Sequence, residues 1–215
     1  MTELNQMMTT KEKASYCIGL QTGANIKQQF ADVDLECIYR GFVDAFKNNT
    51  PQIPIEEINA MLESLRNQVE MQQKQFITKI SEENKKASEV FLNGNKDKEG
   101  VVTLSSGLQY KVLSKGPGTS EHPTSLDSVK IHYRGTFTDG RVFDSSYQRG
   151  QPAVFPLSRV ISGWSEGLQF MQVGDKFQLF IPPYLAYGEQ GFGQDIAPNT
   201  ALVFEVELLG INEVQ

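Results

Sequence analysis

The chain has little of what most catalytic chemistry uses: two cysteines, two histidines and one tryptophan among 215 residues. His122 and His132 have no cysteine or further histidine at ligand spacing, so a transition-metal site lacks donors, and no metal or cofactor is expected. Both histidines read as surface groups. Cys17 and Cys37 are too few for a disulfide framework, and in segments of helical character they read as core thiols, with a bridge between them the less favoured alternative. No stretch approaches the roughly 18 apolar residues of a membrane span, so no membrane partner is expected. Met1–Thr10 also lacks the basic and apolar runs of a secretory signal. The expected location is cytoplasmic, or periplasmic if a signal peptide has been removed.

An excess of positive charge is missing too. The net charge is -6, from 20 basic and 26 acidic residues, and neither half of the chain is basic. Nucleic acid is thereby an unfavourable partner.

Glycine and proline are absent from Ile55 to about Asn93, a stretch dominated by Gln, Glu, Lys, Asn and Ser. One uninterrupted helix of about 58 Å follows, at about 1.5 Å per residue. Its apolar stripe, Ile58, Met61, Leu62, Leu65 and Val69, thins beyond Met71, the pattern of a helix packed at one end and solvated along the rest. Two helices precede it. Ala14 to Phe30 carries Tyr16, Cys17, Leu20, Ala24, Ile26 and Phe30, with Gly19 and Gly23 leaving room for a neighbouring helix. Asp34 to about Phe46 carries Leu35, Ile38, Phe42 and Phe46, capped by Asp32 or Asp34 and ended by Asn48 to Pro54. Two short helices and the apolar start of a third make a poor core alone, so a homodimer through these N-terminal helices is expected.

Beyond Gly94 to Gly100 the periodicity changes from helical to alternating. Leu108, Tyr110 and Val112 share one face of a strand, as do Val129, Ile131 and Tyr133 in the next. Asp139-Gly140 signals a hairpin. Phe177, Leu179 and Ile181 share a face, and so do Leu202, Phe204, Val206 and Leu208. Only Gly163 to Met171 leaves room for a helix here. The expected class is α+β: an antiparallel C-terminal sheet wrapped around one short helix, preceded by an all-helical part. The expected divisions are 1–54 for the helical dimerisation region, 55–100 for the spacer helix and junction, and 101–215 for the sheet domain.

The segment from Val142 to Gly167 gathers Phe143, Asp144, Arg149, Val160 and Ile161 around Trp164. Large apolar side chains beside one carboxylate suit a small, dry, directional pocket. Tyr133 and Phe204, inward on their strands, and Tyr187 add walls.

Read together, VKIHYRGTFTDGRVFDSS, VISGWSEGLQFM, VGDKFQLFIP, LAYGEQGFG and TALVFEVELLGI resemble the FKBP-type peptidyl-prolyl isomerases, in order and in spacing, over about Ser105 to Ile211. The preceding helices are similar in arrangement to the dimeric bacterial members of the macrophage infectivity potentiator type. The resemblance implies an FKBP-like domain and a pocket of Tyr133, Phe143, Asp144, Arg149, Phe155, Val160, Ile161, Trp164, Tyr187, Ile196 and Phe204, with Phe192 at the rim. Of these, Tyr133, Phe143, Asp144, Trp164, Tyr187 and Phe204 would carry catalysis and the others would bind substrate or inhibitor. Trp164 would form the floor, the Ile161 N–H and the Tyr187 hydroxyl would donate to carbonyls, and Asp144 would orient the site. The sequence departs from the common pattern at Ala153, Phe192, Asp195 and Ala197, all at the rim. Implied partners are proline-containing unfolded or partly folded proteins and macrolide inhibitors of the rapamycin type.

Such a site suits the reaction. Amide rotation faces a barrier of about 18–20 kcal/mol because the planar form is resonance-stabilised. Apolar walls and fixed donors can favour the twisted form with no proton transferred, and a thousandfold acceleration needs only about 4 kcal/mol of differential binding. Ser145 and Ser146 lack a neighbouring base and read as turn hydroxyls. The rival reading is a non-enzymatic dimeric chaperone using the same pocket for apolar client segments.

Overall fold

The computed structural model describes residues 9–30, 32–118 and 121–212. The leader-free reading of Met1–Thr10 falls almost entirely outside them. The chain forms α1 (Thr10–Gln29), α2 (Leu35–Lys47) and α3 (Ile55–Asn95). Then come β1 (Val101–Thr103), β2 (Gln109–Ser114), β3 (Ser128–Phe137), β4 (Val142–Ser145), β5 (Ala153–Pro156), α4 (Ser162–Leu168), β6 (Lys176–Ile181) and β7 (Leu202–Ile211). Tertiary contacts divide it into two units between Gln73 and Lys74, inside α3.

In the first unit, α1 starts four residues earlier than its apolar spacing suggests, because Thr9 and Glu12 form a reciprocal capping box. The Asp34 side chain caps α2 by accepting from the Cys37 N–H at 2.8 Å. Asn48, at φ 55°, ends α2 in the left-handed conformation that asparagine tolerates. Neither helix buries a residue within the single chain. Cys17 and Cys37 are therefore exposed free thiols rather than core groups. A Cβ on Gly19 or Gly23 would meet nothing within 4 Å.

The second unit contains one seven-stranded antiparallel sheet in the order β1-β2-β6-β7-β3-β4, with β5 on β3 beside β4. Alternation puts Val129, Ile131 and Tyr133 of β3, Phe177, Leu179 and Ile181 of β6, and Leu202, Phe204, Val206 and Leu208 of β7 into one core with Trp164 and Leu168 of α4. Burying each such side chain contributes roughly 1.5–3 kcal/mol. The short helix lies tight against the sheet because Gly163 and Gly167 carry no Cβ, which would stand 2.5 Å from the Ile181 side chain and 3.0 Å from that of Leu179.

The opposite face is less polar than alternation suggests. Gln109, Phe180 and Val203, in register across β2, β6 and β7, are buried. The end of α3 covers them: Phe91 packs at 6.2 Å from Phe180, Asn95 Nδ2 donates to Gln109 Oε1 at 2.9 Å, and Gln109 Nε2 donates to the Leu92 carbonyl at 2.9 Å. These bonds carry α3 through Gly94, beyond the expected end at Asn93. Val112, which alternates with Leu108 and Tyr110, is exposed toward the strand end. His132, expected at the surface, is half-buried, stacked 4.5 Å from Tyr147 with Nδ1 at 3.0 Å from Ser146 Oγ.

Among the described residues, no helix is long and apolar enough to cross a membrane.

Candidate active site

On the concave side of the sheet a hollow of about 360 Å³ is lined by Tyr133, Phe143, Asp144, Phe155, Arg159, Val160, Ile161, Trp164, Tyr187, Phe192 and Phe204. Strand register builds one wall. Tyr133 and Gly135 alternate inward on β3, and Gly135 is paired with Phe204 of β7. A Cβ on Gly135 would lie 2.7 Å from both the Phe143 and Phe204 rings, so the absence of a side chain there makes room for both.

At the floor, Trp164 is buried in a cage of rings that meet it edge-on: Tyr133 at 5.0 Å and 77°, Phe155 at 5.7 Å and 74°, and Phe204 at 5.0 Å and 79°. Edge-to-face contacts of this kind are favourable beyond the area they bury. Its Nε1–H has no acceptor among the described residues. Phe143 stands perpendicular to Phe204 at 5.5 Å.

Charge sits on one side. The Tyr133 hydroxyl donates to Asp144 Oδ2 at 2.5 Å, Arg149 Nη1 donates to Asp144 Oδ1, and Arg149 Nη2 donates to the Tyr133 oxygen at 2.6 Å. Burial pushes the Asp144 carboxyl up, but the Tyr133 hydroxyl and the Arg149 guanidinium outweigh it and hold the group below the ordinary carboxylate value. Burial, reinforced by Asp144, raises both Tyr133 and Tyr187, so both remain neutral donors.

Two further donors, one backbone N–H and one hydroxyl, also lack partners among the described residues. Ile161 precedes α4, and its carbonyl accepts from the Trp164 and Ser165 N–H groups, while its own N–H has no partner among the described residues. The Tyr187 hydroxyl likewise has none, and its ring stacks on Phe192 at 4.9 Å.

Ten of the twelve residues implied for the site line this hollow. Arg149 reaches it through Asp144 and Tyr133. Ile196 is buried behind the rim, where its backbone pairs with that of Phe192. Among the rim departures, Phe192 lines the hollow, whereas Ala153, Asp195 and Ala197 do not. Arg159 was missing from the sequence reading. Its signal was adjacency, since it immediately precedes Val160 and Ile161.

The model of the FKBP-type peptidyl-prolyl cis-trans isomerase family matches residues 119–209, and that of the domain amino-terminal to FKBP-type isomerases matches residues 11–112. The chain belongs to the FKBP-type peptidyl-prolyl cis-trans isomerases, and it is an enzyme of that class acting on proline-containing peptides. It is 40% identical over 207 residues to the peptidyl-prolyl cis-trans isomerase Mip of Coxiella burnetii, covering 96% of this chain and 89% of the relative. It is 41% identical to the FKBP-type 22 kDa isomerase of Escherichia coli, covering 94% of this chain and 96% of the relative. With the Outer membrane protein MIP of Legionella longbeachae it shares 36% identity, over 99% of this chain and 90% of the relative. The crystal structure of FkpA from Escherichia coli superposes with a TM-score of 0.74 at 34% identity, covering 96% of this chain and 99% of that one. The helical part followed by an FKBP-like domain is thus a shared architecture, and isomerase activity replaces the non-enzymatic alternative. The cytoplasmic expectation gains no support, since the Legionella longbeachae relative is named for the outer membrane.

Proposed function

We propose that the hollow over Trp164 is where the X-Pro bond turns. The carrying observation is the set of three rings edge-on to one indole, beside a carboxylate held by Tyr133 and Arg149. Proline packs on the indole, and Phe143, Phe155, Val160 and Phe204 strip water from the imide. Loss of hydration weakens the planar form, while the Ile161 N–H and the Tyr187 hydroxyl hold the flanking carbonyls as the bond twists. Asp144 needs no proton in this scheme; it fixes Tyr133 and Arg149. The same walls suit the macrolides of the rapamycin type. The test is a protease-coupled tetrapeptide assay of the full chain against Trp164→Leu. Equal kcat/KM in the two would remove the assignment.

We further propose a homodimer assembled through α1 and α2, acting as a chaperone, with the isomerase unit and the helical region divided at 1–54, 55–100 and 101–215. What supports it is apolar exposure: Leu35 and Phe46 are each 78% exposed in the single chain, and neither helix buries a residue. Surfaces of this kind mark association sites. Sedimentation at micromolar concentration should give a dimer for the full chain and a monomer for a Leu35→Glu, Phe42→Glu double variant. A monomeric wild type would refute the assembly. Suppression of client aggregation that disappears in the monomeric variant would support the chaperone role. The likeness to a relative named for the outer membrane favours the periplasmic alternative for its location, which fractionation of cells would test.

A further inference from the structure

The second half of α3 presents a polar stripe at Ser81, Asn84 and Ser88, spaced three and four residues apart and therefore on one face. The stripe spends its hydrogen bonds on a single loop. Asn84 Nδ2 donates to the Pro198 carbonyl at 2.9 Å, and Asn199 Nδ2 donates to Ser81 Oγ at 2.8 Å. Ser88 Oγ donates to the Asn199 carbonyl at 2.9 Å and accepts from the Ala201 N–H at 2.8 Å, with only 4% of the residue exposed.

That loop leads directly into the hollow. Asn199, held at φ 54°, a conformation few residues adopt, donates its N–H to the Gly188 carbonyl at 2.8 Å, next to Tyr187. Between them, Phe192 and Ile196 exchange backbone bonds of 2.8 and 3.1 Å, which set the Phe192 ring against Tyr187. The loop from Tyr187 to Ala201 is thus closed on itself, and its base is tied to α3.

We infer that Ser81, Asn84 and Ser88 are positioning residues for the isomerase site: the second half of α3 sets the Tyr187–Phe192 wall from behind, so this part of the helix supports the site and is more than a spacer. This rests on the reading of the hollow as the active site. Apolar contact alone would hold the helix to the sheet with tolerance in register, whereas directional bonds to Pro198, Asn199 and Ala201 fix one placement of the loop.

The test uses the full chain carrying Ser81→Ala, Asn84→Ala and Ser88→Ala together, with Asn84→Ala alone as a milder companion. Amide hydrogen exchange over residues 187–201 should accelerate, and kcat/KM should fall on the order of tenfold, mainly through KM, a smaller cost than the roughly hundredfold that a misplacement of about 1 Å at a site can bring. Emission from Trp164, the only tryptophan, should stay unchanged, since the indole is caged by other elements. The companion should shift exchange and KM in the same direction by less. Unchanged exchange in the loop, or a fall in activity that comes only with loss of the Trp164 emission, would overturn the inference. The exchange measurement needs no turnover, so it stands even if Trp164→Leu proves fully active and the site reading itself fails.

Discussion

The Tyr133 hydroxyl and the Asp144 carboxylate meet at 2.5 Å, and Arg149 donates to both, so three side chains from β3, β4 and the following turn are locked by one another. Removing the negative charge should leave the fold standing and loosen the rim. Asp144→Asn is expected to lower kcat/KM by about tenfold, equivalent to about 1.4 kcal/mol of transition-state stabilisation. The carboxyl is held below its ordinary 3.8 because Tyr133 and Arg149 outweigh the opposing effect of burial. Activity that depends on the carboxylate is therefore constant through neutral pH and falls only as pH drops through that lowered value. The wild-type pH profile should show an acid limb below about pH 4 that Asp144→Asn lacks.

Gly135 is the space into which two pocket rings fit. A methyl there, at 2.7 Å from both Phe143 and Phe204, has to push them apart or bend β3. Gly135→Ala should destabilise the protein by about 1–3 kcal/mol, read as a lower urea midpoint. It should also raise KM, since both rings line the hollow. A stable variant with wild-type KM would show that the rings yield without consequence.

Much of this architecture was legible because alternation over β3, β6 and β7 is strict and one indole had to be covered. Aspects set by distant partners were not. Gln109 looks like an outward polar residue until Asn95 and Leu92 arrive from α3 to satisfy its amide. Cys17 and Cys37 look like core residues because apolar neighbours recur around them at helical spacing, but neither α1 nor α2 buries a residue in the single chain. The strands β1 and β5 escaped notice because three or four residues hold too little alternation to register, and Arg159 because a charged residue beside an apolar pair reads as solvent-facing. The site was clearer than its supports: a pocket is written in aromatic residues, whereas the Ser81, Asn84 and Ser88 stripe uses residue types common to any solvated helix.

Asp175 is 1% exposed and sits between the Gly116 and Gln172 N–H groups, at 2.8 and 3.0 Å, and Lys115 Nζ at 3.0 Å. Burial raises its carboxyl, yet these donors prevail and its value lies below 3.8. A depressed value in the fold means stability that is fully present above the ordinary carboxylate range and is lost as pH falls through the folded-state value. Asp175→Asn should cost about 1–3 kcal/mol at neutral pH. The gap in thermal unfolding between the two proteins should narrow as pH falls below the ordinary 3.8 and through the lowered folded-state value. A constant gap across that range would count against ionisation of Asp175 as the cause.

Arg149 is occupied by Asp144, but Arg159, on the same hollow and exposed, makes no ion pair among the described residues. A guanidinium without a carboxylate partner at the mouth of an apolar cup attracts acidic side chains of a bound peptide and repels basic ones. The effect is limited by solvent, since exposed pairs are worth at most about 1 kcal/mol, or about fivefold in rate ratio. Tetrapeptides that differ only in carrying Glu or Lys next to proline should therefore differ in kcat/KM in favour of Glu. Arg159→Glu should reverse the order and Arg159→Gln should level it. Because the interaction lies in water, the preference should shrink as salt is raised toward 1 M, where charges are screened over about 3 Å. A preference that survives such salt, or one untouched by Arg159→Glu, would assign the discrimination to the shape of the walls instead.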